Sequence, residues 1–153
     1  MRRKMIAVIG GGNVDQAIWQ QAHAVGRLIA EKGGVVVTGG LGGVMQAACQ
    51  GAREAGGETI GILPGADASE ANAFVTLPIV TGMSEARNAI IARTAQALIA
   101  VGGEYGTLSE IAFGLKFGKR VISLHSWGIF DEMLIAETPQ QAVALALEEE
   151  ADG

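Results

Sequence analysis

The residues best suited to chemistry are concentrated in one turn. Val101-Gly102-Gly103-Glu104-Tyr105-Gly106-Thr107-Leu108-Ser109-Glu110 joins an apolar run, Ala97–Val101, to a helical pattern from Thr107 to Phe117. A glycine-rich turn between strand and helix is where α/β proteins hold phosphate groups. Glycine lets the backbone approach the ligand, and the free amides of the first helical turn point at it. An acid, Glu110, stands beside that anion site. Thr107-Leu108-Ser109-Glu110 fits a capping box, in which Glu110 returns a hydrogen bond to the Thr107 amide. The helix dipole also favours a carboxylate there. The other reading gives Glu110 a role toward the ligand, and the two are compatible.

Three more segments stand at equivalent places. Gly10-Gly11-Gly12-Asn13 follows the apolar run Met5–Ile9, and Gly39-Gly40-Leu41-Gly42-Gly43 follows Val35–Thr38. Each brings backbone amides to an anion or is simply a tight turn. Thr81-Gly82-Met83-Ser84-Glu85-Ala86-Arg87-Asn88 follows Leu77–Val80, with Ser84 as the expected N-cap of a helix Ser84–Thr94. Arg87 then lies on the first turn, where a guanidinium holds a phosphate through two hydrogen bonds. Its alternative is a surface ion pair. Asn88 contacts the ligand or caps a turn.

The elements that must position these residues alternate throughout. Strands are expected at Met5–Ile9, Val35–Thr38, Thr59–Leu63, Leu77–Val80, Ala97–Val101 and Val121–Leu124. Helices are expected at Gln16–Lys32, Val44–Ala55, Ser84–Thr94, Thr107–Phe117 and Thr138–Glu149, with a loop at Ala66–Thr76. Thr138 is the N-cap of the last helix and Pro139 its first residue. Continuous apolar strands separated by helices imply an α/β fold: a three-layer, Rossmann-like, doubly wound parallel sheet. Ligands bind such sheets at the carboxyl ends of the strands, near the switch in strand order. No composition break divides the chain, so residues 1–153 read as a single domain.

Composition removes several classes. The chain has 153 residues, about half of them hydrophobic, 23 glycines and few aromatics, so the core must be Ala, Val, Ile and Leu. A net charge of −5 without a basic stripe argues against nucleic acid as a partner. Apolar runs are too short for a membrane helix, and Met1-Arg2-Arg3-Lys4 leads into no signal-peptide core, so a soluble cytoplasmic protein is expected. Cys49 is the single cysteine and is expected to be buried. His23 and His125 have no metal-ligand spacing, so no metal site is expected. Trp19 is expected in the core or an interface, His125-Ser126-Trp127 in packing rather than lining the pocket rim, and Asp15 as a helix cap rather than a ligand contact. No Gly-Lys-Ser/Thr closes a glycine loop, and Thr38-Gly39 offers no acid for a ribose hydroxyl. P-loop ATPases and nicotinamide dehydrogenases are therefore disfavoured.

In combination these segments resemble the LOG-like (SLOG) family, often labelled "possible lysine decarboxylase" and related to the DprA/Smf proteins. The LOG signature Pro-Gly-Gly-x-Gly-Thr-x-x-Glu is matched from Val101 to Glu110, with Val101 for the proline and one extra residue before Gly106-Thr107. Its Met-x-x-x-Arg-Lys is matched by Met83 to Asn88, with Asn88 for the lysine, and Gly39 to Met45 resembles its second glycine loop. The resemblance implies a nucleoside 5′-monophosphate phosphoribohydrolase with Arg87 and Glu110 as the catalytic pair. The Thr-Gly-Met…Arg-Asn and Gly-Thr-Leu-Ser-Glu pattern is similar to a short bacterial branch resembling molybdenum cofactor carrier proteins, which bind a pterin phosphate without catalysis. Val101, the longer loop and Asn88 favour that branch. The ligand residues so implied are Gly10, Gly11, Gly12, Asn13, Gly39, Gly40, Gly42, Gly43, Met83, Asn88, Gly102, Gly103, Tyr105, Gly106 and Thr107. The ligand is a nucleoside monophosphate, phosphate or molybdopterin-type group, with no cofactor required. Lys4, Lys32, Lys116 and Lys119 all lie outside the glycine loops, so none is placed as the Schiff-base lysine of a pyridoxal-phosphate decarboxylase. The family usually forms dimers, and its carriers tetramers. The apolar helices Ser84–Thr94 and Thr107–Phe117 fit a homodimer or homotetramer.

Overall fold

Strands that are apolar on both sides need cover on both faces, and the helices supply it. The computed structural model describes residues 2–148. In chain order the elements are β1 (Met5–Gly10), α1 (Gln16–Glu31), β2 (Val35–Thr38), α2 (Val44–Glu54), β3 (Thr59–Leu63), β4 (Leu77–Val80), α3 (Arg87–Thr94), β5 (Ala97–Val101), α4 (Tyr105–Lys116), β6 (Arg120–Leu124), β7 (Leu134–Ala136) and α5 (Pro139–Leu147). Short 3₁₀ turns at Ala68–Glu70 and Ser84–Ala86 precede β4 and α3. The seven strands form one parallel sheet in the order β4-β3-β2-β1-β5-β6-β7.

Successive residues of a strand face opposite sides. In β1, Ile6 and Val8 pack with α1, α2 and α5, while Ala7 and Ile9 pack with α3 and α4. The expected three-layer α/β architecture is therefore present. Local signals set several boundaries. Asp15 caps α1, its Oδ1 accepting from the Ile18 amide at 2.9 Å. Thr138 caps α5, its Oγ1 accepting from Gln141 at 3.1 Å, with Pro139 at the first helical position.

Away from α4, three expectations change. The sequence pattern misses β7, whose three residues carry no strand signal beyond being apolar; pairing with β6 makes it a strand. Ser84 is not the N-cap of α3. It starts the 3₁₀ turn with φ +53°, and α3 begins at Arg87. The last helix ends at Leu147, and Glu149 lies outside the described residues.

Candidate functional site

Chain order reverses direction at β1. The chain steps outward from β1 through β2, β3 and β4, then returns to the other side of β1 with β5. Gly10 and Val101 are register partners there, so the turns after β1 and β5 meet at the switch point. The turn after β2 joins them, because the Val44 amide donates to Gly11 O at 3.0 Å. All three glycine loops thus gather at one carboxyl edge, where parallel sheets take ligands.

The start of α4 differs from the sequence expectation. Tyr105 is its first residue and Glu104 its N-cap, in a capping box with Thr107. The Glu104 amide donates to Thr107 Oγ1 at 3.4 Å. Glu110 therefore lies well inside the helix and takes no part in the cap. The competing pattern, Glu104-Tyr105-Gly106-Thr107, escapes a Thr-x-x-Glu search because its acid comes first.

A cleft of about 170 Å³ opens between these turns and the start of α3. Gly10, Gly11, Gly12, Arg87, Asn88, Gly106, Thr107 and Glu110 line it, together with Met45, Glu85 and Glu104. Sequence reasoning did not single out the last three. Met45 adjoins a glycine loop, and the two acids lie within the quoted motifs but match no motif letter.

Arg87 is no surface ion pair. It is 9% exposed, and its Nε donates to Ile62 O at 2.9 Å. One terminal nitrogen donates to Asn88 Oδ1 in a short bond. The other nitrogen lies over Gly39, where a Cβ would fall 2.8 Å from it. A side chain at 39 would have to displace the Arg87 guanidinium and the Met45 sulfur. Burial draws the guanidinium below its usual range, opposed by Glu110 and Glu85. Glu110 is 8% exposed. Burial pushes its carboxyl up to about 8, and the nearby Arg87 charge only partly offsets this. At neutral pH the group is mostly a neutral acid, able to donate a hydrogen bond.

The other nominated residues stand around this centre. Gly39, Gly40, Gly42 and Gly43 do not line the cleft. Gly43 has φ +63°, and a Cβ there would fall 2.1 Å from Gly11 O, so only glycine lets the first two loops touch. Asn72, from the segment before β4, fastens the second loop: its amide donates to Gly40 O and its Nδ2 to Leu41 O, each at 2.8 Å. Asn13 and Met83 are exposed outside the cleft lining. Gly102 adjoins Ile18, and Gly103 lies against Trp127 and Ser126. Tyr105 is 84% exposed and stacks on Trp127, whose Nε1 donates to Glu104 O at 3.1 Å. Cys49 is buried, and burial raises its thiol pKa. Among the described residues no group of three or more His, Cys, Asp or Glu is placed to hold a metal, and no helix is long and apolar enough to cross a membrane.

Comparison with known proteins agrees with this fold. An uncharacterized protein of Archaeoglobus fulgidus is 48% identical over 143 residues, 94% of each chain. The molybdenum cofactor binding protein from Rippkaea orientalis superposes with a TM-score of 0.90 at 38% identity, covering 95% of this chain and 96% of that one. The molybdenum cofactor carrier protein from Chlamydomonas reinhardtii gives 0.84 at 35% identity, covering 94% and 95%. The SLOG cluster4 family model matches residues 3–152, and the chain belongs to that family.

Proposed function

We propose that this SLOG cluster4 protein is a carrier that binds a phosphorylated nucleotide or pterin in the cytoplasm, with the phosphate in the cleft between the glycine turns and Arg87. The single observation behind this reading is that Arg87 and Glu110, both buried, line one cleft with the glycine turns, and burial there favours the protonated form of Glu110. An ionised acid would repel a phosphate, whereas a protonated one donates to it. Gly106 and Thr107 place the first turn of α4 at the same cleft. The donor set fits a molybdopterin-type group through its phosphate, and two solved relatives are a molybdenum cofactor binding and a carrier protein.

The second reading, a LOG-type phosphoribohydrolase, draws on Arg87 and Glu110 lining one cleft. Its oxocarbenium-like transition state calls for a charged carboxylate. Burial raises the Glu110 carboxyl, which disfavours the charged form that this state calls for.

Incubation with AMP and other nucleoside monophosphates separates the two, with free base followed by chromatography and binding by calorimetry. Binding without base release is expected. Base release that Arg87→Ala and Glu110→Gln both abolish, in folded variants, would overturn the carrier reading.

A further inference from the structure

Beside the phosphate cleft lies a second cavity of about 350 Å³. Arg87 and Glu85 line both, so the two spaces adjoin. Leu41 and Pro64 give the second cavity apolar surface, and Glu70 and Ser84 give it polar groups. Both carboxylate oxygens of Glu70 lie over Gly65, where a Cβ would fall 2.1 and 2.3 Å from them. Among the described residues Glu70 forms no ion pair. Ser84 is left-handed, at φ +53°, and its backbone amide donates to Pro64 O at 2.9 Å. A non-glycine residue in that region is strained, and such strain concentrates at ligand sites.

We infer that this cavity takes the ring of the bound ligand and reads an aminopyrimidinone edge, the edge shared by guanine and pterin, through Glu70. The inference rests on the proposed phosphate site next door. An aminopyrimidinone presents a ring N–H and an exocyclic amine side by side. A carboxylate accepts both in parallel, as it accepts the two N–H groups of a guanidinium. Adenine sets a ring acceptor beside its amine, so the same carboxylate would meet a lone pair. Leu41 and Pro64 offer apolar contact to a flat ring. Glu85 also lines the phosphate cleft beside Arg87, whereas Glu70 lines only this cavity, which makes Glu70 the reader.

Calorimetric titration with GMP, AMP and inorganic phosphate tests this. Wild-type protein should bind GMP roughly 10-fold or more tighter than AMP, the scale of one bidentate contact. Glu70→Gln should bring GMP down to the AMP level and leave AMP and inorganic phosphate unchanged. Glu70 is exposed, so the variant should fold, and its circular dichroism spectrum checks that. Equal affinity for GMP and AMP, or undiminished GMP selectivity in Glu70→Gln, overturns the inference while the phosphate site stands. Absence of binding by all three probes, or binding indifferent to Arg87→Ala, overturns the phosphate site and this inference together.

Discussion

The Glu104 amide donates to Thr107 Oγ1 at the start of α4, and that pairing leaves Glu110 free to line the cleft with Arg87. The cap and the candidate functional acid are thereby separate residues of one helix. Glu104 closes the helix end and anchors Trp127 through its carbonyl, while Glu110 lies in the low-dielectric space beside the guanidinium.

That separation gives a pH signature. Between about 4.5, the ordinary value, and about 8, folded Glu110 keeps a proton that the unfolded chain has released. Stability therefore falls as pH rises across that window, by up to about 1.4 kcal/mol per unit. Denaturant unfolding of Glu110→Gln should show this slope flattened, and the variant should exceed wild type in stability at pH 9. Parallel pH profiles for the two proteins would remove the buried-acid description.

The same ionisation should weaken anion binding. Relative to Glu110→Gln, which corrects for the titration of phosphate itself, wild type is expected to lose phosphate affinity as Glu110 gains charge near pH 8. Calorimetric titrations of both proteins across this range check it.

Arg87→Lys keeps the charge but loses the planar fork and the bond from Nε to Ile62 O. Phosphate affinity should fall about 10-fold or more, with a stability loss on the order of 1 kcal/mol. Undiminished binding in the lysine variant would show that the guanidinium geometry is unused.

Two glycines should respond in opposite ways. Gly43→Ala forces a side chain into a left-handed conformation against Gly11 O, so stability should fall by more than about 1 kcal/mol. Nothing lies within 4 Å of a Cβ at Gly106. Gly106→Ala should keep the melting temperature and weaken ligand binding by narrowing the cleft. Thermal melts paired with calorimetry read both effects.

A homodimer or homotetramer is expected, with a second copy seated on edge strand β4. Leu77, Ile79 and Val80 are exposed along it and Met83 just beyond. On α3 and α4, Ile91 and Ile111 are buried against the sheet, while Ile90, Phe113 and Leu115 are only partly buried. Light scattering should give a multiple of the chain mass, reduced toward the monomer by Ile79→Lys. A monomeric wild type at micromolar concentration would refute this.

The sequence by itself determined the α/β class, because uninterrupted apolar strands such as Leu98-Ile99-Ala100 have only one way to hide both faces. It also determined that the glycine loops share an edge, since each follows a strand and parallel strands end on the same side. Asp15 and Thr138 were legible as caps because capping is local. Tertiary structure decided the rest. Which acid caps α4 depended on where the helix begins, and Glu104 and Thr107 compete with Thr107 and Glu110 for one short stretch. β7 exists only because β6 offers it a partner. The protonation of Glu110 and the lie of Arg87 over Gly39 arise from burial between segments far apart in the chain. Desolvation is a property of the packed whole, and no spacing of letters records it.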